Sequence, residues 1–411
     1  MTSWLGCSRL RGCFRWRARS GWLARSPRLA FVGILLMVAM AVTAGSRQVP
    51  DQAEADSSAW LAARPDYVWS FPNDHWSHAG YRTEWWYVTG HLAAKDDPAR
   101  RFGYQFTLFR VGLVPEPPAS ASQWMTGDLI MGHASITDLH SERHVFSELL
   151  HRAIPLLGGF GVPGDSVIAW ARAPAGTDSV WKIVCTNEGF AFSMRDAAQQ
   201  MAFALSVSPA KPLVLHGPNG YSRKGRQPTS ASQYYSFTRL ETSGTLELGG
   251  QTWEVTGQSW LDREFGSNQL DRDQVGWDWF SLQLADGREV MLYHLRDAEG
   301  DVDFGRGTLV ETDGRVRHLA PDQWQLQSLA TWRSAETQAE YPVAWRLELP
   351  AAGLQLRIEA LLPAQENVSR RAAGLHYWEG AVQIWSAGSG EPSGLGYVEM
   401  TGYGEGNRPP I

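Results

Sequence analysis

Trp260-Leu261-Asp262-Arg263-Glu264-Phe265-Gly266 reads as a strand. Residues i and i+2 of a strand share a face. Trp260, Asp262 and Glu264 then point one way, and Leu261, Arg263 and Phe265 the other. Ten residues on, Gly276-Trp277-Asp278-Trp279-Phe280-Ser281-Leu282-Gln283 places Trp277, Trp279, Ser281 and Gln283 on one face. Short alternating segments of the same kind recur over 84–92, 102–111, 181–186, 201–207, 245–248, 290–295, 344–349, 354–358, 377–384 and 396–403, broken by Gly, Asn, Asp and Pro. Many short strands at close spacing predict an all-β fold of the sandwich or barrel kind. The best 3.6-residue period lies over 144–152, which predicts one short helix.

An internal echo divides this β-rich region. Residues 84–92, a loop and 103–110 form an aromatic strand, a break and a strand ending in Arg110. Residues 277–284, the turn Asp286-Gly287 and 290–296 repeat the pattern and end in Arg296. Asp-Gly between alternating runs is a hairpin signal. The expected organisation is a β-barrel-like domain over 66–238 and a second over 239–405, after a polar linker over 45–65. At 411 residues the chain has room for two domains.

The start is different in kind. Seven arginines between Arg9 and Arg28 precede an apolar run over 29–44 that ends Val42-Thr43-Ala44. This pattern predicts a signal peptide cleaved after Ala44, or an uncleaved anchor, and therefore export to the periplasm. The run is short for a spanning helix. Beyond the leader only Cys185 remains, so no internal disulfide can form. A net charge of −6 argues against general nucleic-acid binding.

Chemistry is sought where carboxylates meet aromatics. Two buried carboxylates on one face cannot both ionise cheaply, so one tends to hold its proton near neutrality and becomes a candidate general acid. Asp262 and Glu264 are that pair, with Trp260, Trp277, Trp279 and Gln283 as candidate ligand contacts. The plainer alternative is that Arg263 and other cations neutralise the pair. Twenty tryptophans in the chain suit a cavity with apolar walls and a few polar groups. Glu84 and Trp86 share a face with Arg82, as either a salt bridge closing one barrel end or ligand contacts. His133 in 131–138 is a proton carrier or a buried hydrogen-bonding histidine. Tyr235 in the strand 232–237, and Tyr377 and Glu379 in 377–380, complete the candidates. His75, His78 and His91 lack a third ligand at a fixed offset, so hydrogen bonding is expected of them and no metal. The loop 215–225 lacks the spacing of a phosphate loop and reads as a lid or inter-domain contact.

Taken together, 71–75, 81–92, 132–138, 216–225, 232–237, 260–266, 276–283, 377–382 and 396–403 resemble the AttH/CrtC lipocalin-like family. That family includes secreted AttH-like proteins and the carotenoid 1,2-hydratases, or hydroxyneurosporene synthases. The resemblance covers about 67–403 and implies two consecutive lipocalin-like β-barrels with a cavity where they meet. It also implies chemistry without a cofactor. The hydratases carry an Asp in a Tyr-x-Asp-like strand, and Asp262 in Trp260-Leu261-Asp262 resembles it. Arg263-Glu264 after it departs from the hydratase pattern. The expected function is that of an exported protein binding an isoprenoid or lipid-like ligand, as a hydratase or hydrolase. Two alternatives stay open: a non-catalytic carrier working with an envelope ABC transporter permease, and a carbohydrate-active enzyme.

Overall fold

The structure, a computed structural model, describes residues 60–404 apart from 117–121, 123 and 372–373, together with Asn407 and Pro409. The expected leader over 1–44, and the linker up to residue 59, lie outside the described residues.

The first half contributes β1 (Thr83–Ala94), β2 (Arg101–Gly112), β3 (Asp128–Asp138), β4 (Arg143–Arg152), β5 (Gly158–Phe160), β6 (Val167–Arg172), β7 (Val180–Cys185), β8 (Phe190–Asp196) and β9 (Met201–Pro209). The short β10 (Val214–Leu215) and β11 (Tyr221–Arg223) precede the long hairpin of β12 (Ala231–Leu248) and β13 (Gln251–Asn268). The second half contributes β14 (Gln274–Leu284), β15 (Glu289–Asp297), β16 (Val302–Val310), β17 (Val316–Leu319), β18 (Gln325–Arg333), β19 (Glu340–Leu349), β20 (Leu354–Ala360), β21 (Glu366–Val368), β22 (His376–Ser386) and β23 (Pro392–Thr401).

These strands make two antiparallel sheets. The first runs β4-β3-β2-β1-β13-β12-β9-β8-β7-β6-β5 and curls into a nearly closed barrel. His151 near the end of β4 reaches round to donate to the carbonyl of Arg172 at the end of β6, at 2.9 Å. The second sheet runs β17-β16-β15-β14-β23-β22-β20-β19-β18 and forms a half-barrel. The fold is therefore the expected pair of lipocalin-like barrels.

Two expectations change. The segment over 144–152 is strand β4, not a helix. Val145, Ser147 and Leu149 are buried and their neighbours less so, the period of two that pairing with β3 imposes. The sheets also do not divide at 239. That position lies inside β12, and both β12 and β13 are hydrogen-bonded into the first sheet. The second sheet begins only at Gln274.

The internal echo has a structural meaning. In each sheet the first strand, β1 or β14, pairs with its hairpin partner on one side and with the last strand of that sheet, β13 or β23, on the other. Leu261 packs in the core of the first barrel. Trp260 packs in a separate apolar layer between the barrels, with Tyr87, Tyr234, Trp279, Tyr293, Ala381 and Tyr397. That layer explains why 260–265 is buried on both faces.

Polar contacts ring this interface. His91 Nε2 donates to the carbonyl of Gly396 (2.7 Å), and Thr137 Oγ1 to Gln365 Oε1 (2.9 Å). Gln283 Nε2 donates to the carbonyls of Thr238 and Ser259. Glu289 of β15 holds Lys211 (2.8 Å) and Arg239 (2.6 Å). At Gly103 a Cβ would come within 2.7 Å of the Ala381 side chain, so only glycine lets the two sheets approach there.

Candidate functional site

Alternation along β13 sorts its side chains into two polar systems on opposite faces. On the barrel-1 face Arg263 is fully buried and its guanidinium binds the Glu84 carboxylate. Arg263 also donates to the carbonyl of Trp76 (2.7 Å) and lies 4.1 Å over the ring of Trp86. Arg110 adds a second contact to Glu84 at 3.2 Å and bonds Asp128 at 2.8 Å. Burial opposes the charge on Glu84, but Arg263, His78 and Arg110 outweigh it and hold the carboxyl well below the usual range. This is the barrel-closing ion network, and it takes up the carboxylate of Glu84.

On the other face Asp262 and Glu264 look toward the second barrel. Glu264 is paired: Lys224 Nζ lies 2.8 Å from Oε1, and Ser232 donates to the same oxygen. Lys224 sits over Tyr293 (4.3 Å) and Tyr234 (4.8 Å). Burial works against the Lys224 charge, yet Glu264 and its neighbours keep its pKa raised.

Asp262 is 4% exposed and takes only neutral donors. Tyr234 donates to Oδ2 at 2.6 Å, and Ser236 and Trp260 Nε1 donate to Oδ1, the latter at 2.5 Å. Behind Ser236 stands His216 Nε2 at 2.7 Å, whose Nδ1 meets Thr308 Oγ1 of the second sheet at 2.9 Å. Trp279 Nε1 donates to the Tyr234 hydroxyl at 3.1 Å. Burial pushes Asp262 up to about 7, the charge of Glu264 adds to it, and the three donors pull against it. A carboxyl poised there serves as acid and base near neutrality.

The second sheet supplies a mirror of this row. Tyr87, Asp262 and Ser236 are register partners across β1, β13 and β12. Trp279, Glu399 and Glu379 are register partners across β14, β23 and β22. The two rows meet where the rings of Tyr87 and Trp279 stand edge to face, 5.2 Å apart. Burial pushes Glu399 up to about 8, with Asp262 and Glu264 adding to it. Burial and Glu399 likewise hold Glu379 well above the usual carboxyl range.

These groups line a cavity of about 320 Å³ between the barrels, near the small end of ligand pockets. It has a gradient of depth. Phe109, Val111, Leu129, Met131, Leu150 and Leu375 are half-buried and apolar, whereas Tyr87, Gln105, His133, Asp262, Tyr377 and Glu379 are buried. His133 Nδ1 meets the Tyr377 hydroxyl at 2.7 Å, and burial lowers its pKa to about 3, so the ring is neutral. A more open depression of about 650 Å³ lies among the turns near 285, 352 and 390. Its Asp286 and Arg288 are already paired with each other at 2.7 Å, so it offers little chemistry.

Residues 62–403 match the AttH-like family. The chain belongs to it. A solved structure described as an AttH of Nitrosomonas europaea is 33% identical, with a TM-score of 0.72, and the match covers 84% of this chain and 99% of that one. Kievitone hydratase of Nectria haematococca shares the fold at a TM-score of 0.55 and 14% identity, over 83% of this chain and 95% of that one. Among curated proteins, Dehydratase asqC of Emericella nidulans is 23% identical over 237 residues, 56% of this chain. Kievitone hydratase of Fusarium solani subsp. phaseoli is 22% identical over 176 residues, 42% of this chain. The AttH-like chain spans 66% and 49% of the lengths of those two relatives.

Of the residues singled out in the sequence, the AttH-like cavity brings together Asp262, Glu264, Trp277, Trp279, His133, Tyr377 and Glu379. Glu84 also reaches its wall, with its carboxylate engaged by the arginines. Trp260 stands behind the cavity as a donor to Asp262. Three candidates are corrected. Trp86 faces the core of the first barrel, where its Nε1 donates to the carbonyl of His75. Tyr235 faces the same core and meets His75 Nδ1 at 2.6 Å. Gln283 shares the face of Trp279 but is spent on barrel-to-barrel bonds. The loop over 215–225, expected as a lid or an inter-domain contact, reaches the second sheet through His216 on Thr308 and Lys224 over Tyr293. His78 and His91 serve as hydrogen-bonding residues. Tyr87, Lys224, Tyr234 and Glu399 were not foreseen. Glu399 had a visible signal, a lone acid within the apolar strand over 396–400.

Lys224 yields a direct expectation. Lys224→Met leaves Glu264 buried without its cation and removes a positive charge that attracts Asp262. Asp262 then holds its proton to higher pH, by roughly a unit or more. Infrared titration of the carboxyl band, wild type against variant, measures the shift. An unmoved Asp262 would show that Lys224 does not set its acidity.

Proposed function

We propose that this AttH-like protein is a cofactor-free hydro-lyase acting on a largely apolar, isoprenoid or lipid-like substrate, with Asp262 as the acid. The observation that carries this is the state of Asp262: buried on a cavity wall, paired with no cation, and poised near neutrality. The curated relatives named as a hydratase and a dehydratase support the reaction class. In the hydration direction Asp262 delivers its proton to one alkene carbon. The cation left on the other carbon lies against the faces of Trp277 and Trp279, an interaction worth about 2 kcal/mol or more in a desolvated site. Water then adds to that carbon. Dehydration is the same path reversed, with Asp262 accepting the proton from carbon. Glu264 transfers no proton in this scheme; its carboxylate is taken up by Lys224 and Ser232.

The basic and apolar start of the chain supports export to the periplasm, with or without retention by the leader. Buried Trp260 and Trp279 offer no open platform for glycan stacking, so the carbohydrate alternative draws no support from them.

Native mass spectrometry with lipid extraction, on protein purified from its own envelope, tests the ligand class. A bound isoprenoid or lipid is expected, and its conversion in water labelled with oxygen-18 then tests the reaction. Binding with no turnover would return the carrier role beside an ABC transporter permease. An empty protein that ignores a panel of lipids and polyenes would end the apolar-ligand proposal.

A further inference from the structure

A hydration moves two protons, one onto carbon and one off water, and Asp262 accounts for the first alone. Opposite Asp262, Glu379 and Glu399 are register partners whose side chains both line the cavity. The charged groups that bear on them are other carboxylates: Glu399 on Glu379, and Asp262 and Glu264 on Glu399. Such a pair, one member buried and the other half-buried, retains a proton, because two like charges side by side in a poorly hydrated place do not both ionise cheaply.

A second, independent observation points to a guest. Glu379 is 1% exposed; its Oε1 has no well-aligned hydrogen-bond partner, Oε2 accepts a 3.3 Å bond from Asn367, and the hydroxyls of Tyr87 and Tyr377 lie close to the carboxylate. Three more buried atoms of the same cavity wall lack partners: the Tyr87 hydroxyl, His133 Nε2 and Gln105 Oε1. They form one patch. Tyr87, Thr107 and His133 are register partners across β1, β2 and β3, and Gln105 donates to Thr107. Tyr87 lies beside the Glu379 carboxylate without forming a well-aligned bond to it. Buried polar groups in folded proteins are nearly always bonded to protein or water. The patch offers the Tyr87 hydroxyl as donor and two oxygens as acceptors, so it suits a group that both donates and accepts. Water and an alcohol are such groups; an anion is repelled by the carboxylates, and an apolar group satisfies none of the four atoms.

We propose that this patch is the water subsite of the reaction, and that Glu399, sharing a proton with Glu379, is the base that takes the proton from the adding water. The inference rests on the hydro-lyase proposal. The step balances. The alkene π pair takes the Asp262 proton at one carbon, and water oxygen bonds to the other. One water proton passes to Glu399, and solvent carries a proton back to Asp262. In the reverse direction the Glu399 acid protonates the departing hydroxyl.

The two acids separate experimentally. The full chain is incubated with β-farnesene and with nerolidol, the isoprenoid tertiary alcohol related to it by one water, in H₂¹⁸O and separately in D₂O. Wild type is expected to place oxygen-18 in nerolidol and deuterium in recovered β-farnesene. Glu399→Gln is expected to lose oxygen-18 uptake by ~100-fold or more while deuterium uptake stays within about threefold, since one acid–base step is worth 10²–10⁴-fold. Asp262→Asn is expected to lose deuterium uptake and the oxygen-18 that reaches nerolidol from β-farnesene, while oxygen exchange of nerolidol itself, which needs Glu399 and no proton on carbon, persists. Equal loss of the two labels in Glu399→Gln, or loss of neither, overturns the assignment. A wild type that takes up neither label counts against the hydro-lyase proposal for these probes, and the subsite is then decided by a high-resolution crystal structure. An ordered water on Glu379 Oε1 together with Tyr87 or His133 supports it. A dry patch, with these atoms bonded to one another, overturns it.

Discussion

Asp262→Asn is expected to cut turnover by about 10²–10⁴-fold while the protein stays folded and binds its ligand, because the amide keeps the shape of the carboxyl and loses only the transferable proton. The same change is expected to stabilise the protein above neutral pH. The folded carboxyl sits at about 7 against an ordinary value of 3.8. Below about pH 4 both folded and unfolded states are protonated, and the group costs nothing. Between about 4 and 7 the unfolded chain releases its proton and the folded one keeps it, so stability falls as pH rises. Above 7 the cost is constant at roughly 4 kcal/mol. Glu399, raised to about 8, and Glu379 slope the same way, so the variant flattens the pH dependence without abolishing it. Denaturant unfolding at pH 5 and pH 8 measures both parts. A variant less stable than wild type at both pH values, with ligand binding lost, would make Asp262 a structural keystone. In wild type hydration needs Asp262 protonated and Glu399 ionised, so its rate is expected to pass through a maximum between about pH 7 and 8 and to fall on either side.

Arg263→Ala is expected to produce the largest loss of stability of any single change on β13, about 3–5 kcal/mol. Arg263 and Glu84 are each fully buried. Truncating the arginine strands the Glu84 carboxylate with Arg110 as its remaining cation and the ring and backbone N–H of His78 as its other partners. It also removes the donor to the Trp76 carbonyl and the group stacked on Trp86. The denaturation midpoint should fall accordingly, and activity should fall with the folded fraction. Measured at a temperature where the variant is folded, turnover per folded molecule should stay far above that of Asp262→Asn. A stability loss under about 1 kcal/mol would show that the network relaxes or admits water. The two variants are neighbours in sequence and opposites in consequence, since a strand sends i and i+1 to different faces.

The strand itself was legible from that same parity. Its alternation put Trp260, Asp262 and Glu264 on one face and Arg263 on the other, and the fold agrees. Parity within a strand is local, but parity between strands is not. Tyr235 was singled out where its neighbour Tyr234 bonds Asp262, because which of the two faces Asp262 depends on the register of β12 against β13. Trp86 was misplaced relative to Trp85 and Tyr87 for the same reason. The sheet boundary was missed because β12 and β13 form one hairpin across it, and nothing local says which sheet a hairpin joins. The expected helix over 144–152 gave way to pairing with β3, a tertiary demand that outweighs local preference. Lys224 was unforeseen as a partner of Glu264 because forty residues separate them, and only the turn between β11 and β12 brings them together.

The close approach of Gly103 and Ala381, with the ring of bonds around it, gives the acidity of this site an origin in assembly. Asp262 is covered by Trp279, and Glu399 lies in the field of Asp262 and Glu264; each barrel is a lid on the carboxylates of the other. Burial is the largest cause of the raised acidity on both sides of the interface, and it depends on the two sheets being docked. A chain whose barrels had not yet docked would carry Asp262 as a commonplace surface aspartate, ionised and inert, and would acquire its reactive proton only in the last step of folding.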